Sequence, residues 1–213
     1  MDQHIYKNLD LLELSLYNIR KRMPNFTNLA LLVIDMQKFF HSIAKPILSD
    51  LKLLITEFRN HNIPIIYTRH GHKDPPKDGG MLYEWWKELI IEGKDEWHFI
   101  EEIAPHHTDK IINKKKYSAF VGTELNSYLR SHNIEELLIS GVLTNCCCET
   151  TARDAFCQDY RVFLLADATA APNKDLQLAS LKNLAYGFAY ITTCEAILNI
   201  LNRELKYQGQ SFC

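Results

Sequence analysis

Two short, unbroken apolar runs restrict the fold of this chain more than any other feature: LALLVID at residues 29–35 and IPIIYT at 63–68. Each has the length of a strand, and neither alternates apolar with polar side chains, so both require burial on two faces. Such strands belong in a parallel sheet covered by helices. Further strands are expected at KIINK (110–114), ELLISGV (136–142), RVFLLADA (161–168) and AYITT (189–193). Helices are expected at 48–59, 123–132, 147–159, 174–187 and 195–207, between and after those strands. The fold class that follows is α/β: a doubly wound, Rossmann-like, mainly parallel six-stranded sheet with helices on both faces. No Gly-x-Gly-x-x-Gly follows the first run, which removes the dinucleotide fingerprint.

Two segments stand outside this alternation. Ile5, Leu9, Leu12, Leu16 and Ile19 recur at helical spacing before Pro24. They predict one amphipathic helix in an N-terminal extension, residues 1–27, attached to a single domain at 28–213. Its apolar stripe packs either on that domain or across a subunit interface, since periodicity names no partner. Residues 71–105 hold KDPPKDGG and MLYEWWKELI and are too long for a simple connection, so a lid over the carboxyl ends of the strands is expected.

Charge and cysteine usage narrow the function classes. With 24 basic and 26 acidic residues the net charge is −2, which gives phosphate-driven binding to nucleic acid little to start from. The opening MDQHIYKNLD lacks an apolar core of signal-peptide length, and no apolar run reaches membrane-spanning length. A cytoplasmic protein with reduced thiols is therefore expected. Among the 6 cysteines no Cys-x-x-Cys pair occurs, which argues against a thiolate zinc site.

In an open parallel sheet the ligand crevice lies outside the carboxyl ends of the strands. Asp35 closes the first run, Lys114 closes KIINK, and Cys146, Cys147 and Cys148 follow ELLISGV. A carboxylate able to take a thiol proton, an ammonium able to balance charge and a thiol thus meet at one crevice, which suggests acyl transfer. Consecutive residues on a helix diverge by about 100°, so one cysteine reacts and two pack. A helix N-terminus and a neighbouring cation would both lower the reactive thiol's pKa.

The runs LLVIDMQ (31–37), KKKYSAF (114–120) and GVLTNCCCETTARDAF (141–156) resemble, in order and spacing, the three signatures of the isochorismatase-like cysteine hydrolase family. The likeness covers residues 28–171. It implies Asp35 as the acid, Lys114 as the lysine and Cys147 as the nucleophile, with Cys146 and Cys148 at positions where relatives carry apolar residues. It also implies a cis peptide at Val142–Leu143 and an oxyanion hole made by the backbone N–H groups of Leu143 and Cys147.

The reaction so implied is hydrolysis of a small amide or ureido substrate through a thioester, without a cofactor. An enol-ether hydrolase and a non-catalytic binding or redox-sensing protein are the alternatives. Gln37 is a candidate for orienting substrate or water, against a solvent-facing loop glutamine. Arg69 is a candidate for a substrate carboxylate, against a structural salt bridge. Trp85, Trp86, Tyr117 and Phe120 are candidates for an aromatic wall, against anchoring the lid or an interface. Arg153 and Asp154 read as a scaffold pair. Nicotinamidases of this family hold a metal with an Asp-x-His pair and a further histidine; here His70 replaces that aspartate two residues before His72, and the reading is a site without metal. Family members are often dimers or tetramers, so a homo-oligomer is expected by analogy.

Overall fold

The apolar runs form a six-stranded, all-parallel sheet in the computed structural model of the chain, which describes residues 11–210 and the side chains of residues 13–203. The strands are β1 (Leu29–Ile34), β2 (Ile65–His70), β3 (Lys110–Lys114), β4 (Glu136–Val142), β5 (Arg161–Ala170) and β6 (Tyr190–Thr192). Their spatial order is β3-β2-β1-β4-β5-β6, the doubly wound arrangement. Every residue of β1 and of β4 is buried, as two-sided coverage of the central strands demands. β1 and β4 pair from Leu29↔Glu136 to Ile34↔Gly141, and this junction is the point where the strand order reverses.

Helix Leu48–Asn60 buries Leu51, Leu54, Ile55 and Phe58, a stripe of period 3.6, and packs against Cys194–Gln210 on one face of the sheet. Helices Glu149–Cys157 and Lys174–Gly187 pack together on the other. Asn173 caps the second of these, its side chain accepting from the Leu176 N–H at 2.9 Å.

The C-terminal end of the expected N-terminal helix falls earlier than its periodicity suggests. Ile5 and Leu9 lie outside the described residues, and the helix Leu11–Ser15 ends before Leu16 and Ile19, which are exposed. The described part of the extension docks on its own domain. Leu14 is buried, Asn18 donates to the Ile191 carbonyl at 3.0 Å, and the buried Glu136 accepts from the Asn25 N–H at 2.8 Å and pairs with Arg22 at 3.3 Å.

Residues 71–105 carry short helical turns, Pro75–Asp78, Met81–Trp86, Asp95–Trp97 and Glu101–Ile103. Backbone hydrogen bonds between His72 and both Ile90 and Glu92, and from Ile100 to Met36, lay this segment along the carboxyl ends of β1 and β2. Among the described residues no helix is long and apolar enough to cross a membrane.

Candidate active site

Asp35 follows β1 with φ +49°, a turn that directs its carboxylate inward. Thr68 of β2 holds it twice: the Thr68 hydroxyl accepts from the Asp35 N–H at 3.1 Å and donates to Asp35 Oδ1 at 2.6 Å. Lys114 ends β3 in register with His70, so its side chain shares a sheet face with Thr68 and His70. Its Nζ lies 2.7 Å from Asp35 Oδ2 and 3.3 Å from Cys147 Sγ, and donates to the Lys116 carbonyl at 2.9 Å. Asp35 and Lys114 are fully or almost fully buried, and Cys147 is 7% exposed. Three groups more than thirty residues apart thus meet at the ends of β1, β3 and β4. Lys115, a neighbouring alternative, is drawn off by Asp78 at 2.7 Å.

The cysteines do not start a regular α-helix as expected. Thr144–Cys148 forms a π-helical turn and the α-helix begins at Glu149. Such turns occur at functional sites, where the wider winding re-aims one side chain. Cys148 is buried, with Sγ 4.0 Å from the Ser140 carbonyl, and serves packing. Cys146 is half-buried beside Tyr117 at the rim, so it is not core filler. Thr151, one helical turn beyond Cys147, is buried and its hydroxyl accepts from the Ala119 N–H at 3.0 Å, which ties the KKKYSAF segment to the cysteine helix. The Val142–Leu143 peptide is cis.

The electrostatics overturn the expectation of a lowered thiol pKa. Burial pushes the Cys147 thiol well above its ordinary range, and the Lys114 ammonium offsets only part of that. The thiol is therefore protonated at rest and needs a base. For Lys114, burial works downward, but the Asp35 carboxylate and Cys147 leave it above the ordinary lysine value, so it stays an ammonium.

The other candidates take the following places. Gln37 is buried rather than solvent-facing: its Nε2 donates to the carbonyls of His70 (2.8 Å) and Trp97 (2.9 Å), and its Oε1 accepts from the His70 N–H (2.8 Å). It clamps the lid to β2. Arg69 alternates with Thr68 and His70 along β2 and so points to the opposite sheet face, where it bonds Asn113 at 3.0 Å and lies 3.5 Å over the Trp97 ring. Phe120 lies against Tyr160, just before β5, with ring centroids 5.9 Å apart. Trp85 and Trp86 are both exposed, and Trp86 donates to the Tyr117 hydroxyl at 2.7 Å. Arg153 pairs with Glu149 at 2.7 Å rather than with Asp154, because residues four apart share a helix face and adjacent ones do not.

Thr68 and Thr151 were not flagged by the sequence. A threonine on a buried strand or helix is common, and only the inward position of Thr68, two residues before His70 on β2, could have singled it out.

His70 and His72 are buried beside this centre, ring centroids 5.1 Å apart and edge to face. Burial, reinforced by the Lys114 charge, pushes His70 down to about 3. The pair does not fit a metal site of the Asp-x-His kind. The position of the aspartate is held by a neutral imidazole facing an ammonium, and Asp78, the carboxylate nearest His72, is already paired with Lys115. Among the described residues no group of three or more His, Cys, Asp or Glu side chains could hold a metal ion.

The depressed His70 value sets an acid dependence. A histidine buried neutral contributes stability that is complete above its unfolded value near 6.5 and is lost as pH falls toward the folded value of about 3. At about 1.4 kcal/mol per pH unit, lowering pH from about 6.5 to 5 costs about 2 kcal/mol through this residue alone. Urea unfolding at pH 7 and pH 5 is expected to show that loss in the wild type and a correspondingly smaller one in His70→Gln; equal losses would contradict the assignment.

Fold and site together define a doubly wound α/β scaffold whose cysteine, carboxylate and lysine converge at a strand-order reversal. Residues 29–196 match the Isochorismatase domain family, and the chain belongs to that family. It is 46% identical over 184 residues to Nicotinamidase 3 of Arabidopsis thaliana, covering 85% of this chain and 92% of that protein. It is 29% identical over 207 residues to the ureidoacrylate amidohydrolase RutB of Serratia proteamaculans (strain 568), covering 83% and 84%. The structure of a cysteine hydrolase from Pseudomonas syringae pv. phaseolicola 1448A superposes with a TM-score of 0.80 at 29% identity, over 84% of this chain and 94% of that one. The class these likenesses define is a hydrolase of carbon–nitrogen bonds other than peptide bonds.

Proposed function

We propose that the protein hydrolyses a small planar carboxamide, nicotinamide foremost, through a thioester on Cys147. The observation that carries this reading is the buried Lys114 ammonium, 2.7 Å from the Asp35 carboxylate and 3.3 Å from the Cys147 sulfur. Asp35 takes the thiol proton as sulfur attacks the amide carbon, and the carbonyl oxygen becomes an oxyanion received by the backbone N–H groups of Leu143 and Cys147. Asp35 passes the proton to the leaving nitrogen, the carbon–nitrogen bond breaks, and ammonia departs. Asp35 then deprotonates a water that attacks the thioester; the acid is released and the proton returns to sulfur. Lys114 keeps its charge throughout and offsets the negative charge shared by Asp35 and sulfur.

The likeness to Nicotinamidase 3 supports the carboxamide, and the likeness to ureidoacrylate amidohydrolase supports a ureido compound as the next class to assay. An enol-ether substrate is less well supported, because acid catalysis of that reaction leaves no task for a buried thiol held by a lysine. Intact-mass measurement on protein quenched in acid during turnover is expected to show one acyl group, mapped by peptide digestion to Cys147. Turnover with no adduct under any quench would remove the thioester.

A further inference from the structure

The helix Leu48–Asn60 and the last turn of the lid segment, Glu101–Ile103, enclose a cavity of about 390 Å³ that shares no residue with the site around Cys147. Small-molecule pockets begin at about 300 Å³, so the space is large enough to hold a ligand. One wall is basic and the other acidic. Lys52 and Arg59 stand seven residues apart on the helix, two turns along one face, and Glu101 and Glu102 come from the opposing segment. Ile55 and Ile103, both buried, supply an apolar floor.

Opposite charges on facing walls close a gap by pairing unless the walls are held apart. Here they are held from below. The Tyr67 hydroxyl donates to the Ile103 carbonyl at 3.0 Å, and Arg59 Nη2 donates to the Ala104 carbonyl at 3.4 Å and to Asp109, which fixes the segment on β2 and on the helix. Among the described residues no ion pair crosses the cavity. Glu101 pairs with Lys38 at 3.6 Å, Arg59 pairs with Asp109, and the Lys52 ammonium and the Glu102 carboxylate have no hydrogen-bond or ion-pair partner. Nη2 makes all of the hydrogen bonds of Arg59; Nη1 has no partner, and Nε is buried without one. A guanidinium anchored in this way presents its free N–H groups in a fixed direction, the condition for holding a carboxylate.

We propose that this cavity is a second ligand site, for a small zwitterion. The class is an α-amino acid with an apolar side chain: its carboxylate lies on the Lys52–Arg59 wall, its ammonium on the Glu101–Glu102 wall, and its side chain on Ile55 and Ile103. A simple anion would meet the acidic wall unpaired and a simple cation the basic one, so a ligand carrying both charges fits best. The site lies at the root of the lid. Ile100, next to Glu101, donates to the Met36 carbonyl at 3.0 Å, one residue from Asp35, so an occupant braces the attachment of the lid to the end of β1.

The test titrates the full-length wild-type protein, by saturation-transfer NMR, with three compounds of one carbon skeleton. These are L-leucine, 4-methylpentanoate, which lacks the ammonium, and 3-methylbutylamine, which lacks the carboxylate. L-Leucine is expected to bind saturably with a Kd on the order of 1 mM. Each single-charge analogue is expected to bind at least about 5-fold more weakly, the effect of one exposed ion pair of about 1 kcal/mol. Lys52→Met and Glu102→Gln remove a charge without removing a bond of the folded protein, and each is expected to weaken L-leucine by a similar factor at matched circular dichroism. Lys52→Met is expected to narrow the gap between L-leucine and 3-methylbutylamine, and Glu102→Gln the gap between L-leucine and 4-methylpentanoate. A general loss of structure would not sort the two analogues in this way. Absence of saturable L-leucine binding, an analogue binding as tightly as L-leucine, or an affinity that neither variant alters would each overturn the proposal. If a variant does not fold, the three-compound comparison on the wild type decides.

Discussion

Cys147→Ala is expected to lower kcat on a small carboxamide by a factor on the order of 10⁴ to 10⁶, the range for removing the nucleophile of a catalytic group that acts as a unit. Asp35→Asn is expected to fall in the same range, because burial keeps the thiol protonated and Asp35 is the carboxylate that acts on it among the described residues. The neighbouring cysteines provide the internal control. Cys148→Ala removes a fully buried sulfur and is expected to cost about 1 kcal/mol of stability with little change in kcat. Cys146→Ala, at the half-buried rim, is expected to change kcat by less than about 10-fold, well short of the loss from a nucleophile. Steady-state rates on purified variants of matched circular dichroism separate these outcomes. Undiminished turnover in Cys147→Ala would end covalent catalysis and return the enol-ether reaction to consideration.

The second large effect falls on a residue that touches no substrate. Gly141 has φ +108°, outside any region an L side chain adopts comfortably. A Cβ built there would lie 2.1 Å from the Ile34 carbonyl oxygen and 2.6 Å from the Ile34 nitrogen, and both are backbone atoms of β1 that cannot move aside. Gly141 thereby lets the carboxyl ends of β1 and β4 come together, and these ends carry Asp35 and lead into the Cys147 turn. Gly141→Ala is expected to cost more than about 4 kcal/mol, enough to consume much of the stability of an ordinary domain. The expression yield of soluble protein and its thermal unfolding are the measurements. Gly187→Ala is the matching control: nothing lies within 4 Å of its built Cβ, it ends the helix Lys174–Gly187, and a gain of about 0.5 kcal/mol is expected. Comparable behaviour of the two variants would show that the close approach at Ile34 is not what constrains Gly141.

The convergence of Asp35, Lys114 and a cysteine was legible before any coordinates, because each closes or follows an apolar strand and parallel strands bring their carboxyl ends to one edge. The roles of Arg69, Gln37 and Phe120 were not legible. Arg69 lies one residue from Thr68 and from His70, and that single step sends it to the other sheet face. Gln37 lies two residues from Asp35, yet the lid residue Trp97 and the β2 residue His70 use up its amide. Sequence proximity to a reactive residue carries no information about such distant partners. The same reasoning explains Thr68, whose hydroxyl is positioned against Asp35 only once β1 and β2 are paired.

What the amino-acid order determined by itself was the alternation of buried strands with helices, and hence the edge at which a carboxylate, an amine and a thiol gather. These follow from periodicity and chain direction, which are properties of one segment at a time. The tertiary structure alone decided which side chains face the thiol, which cysteine packs and which sits at the rim, and that burial outweighs the lysine in setting the thiol's protonation. Those outcomes depend on solvent exclusion and contact among segments remote in the chain, and no local pattern of residues encodes them.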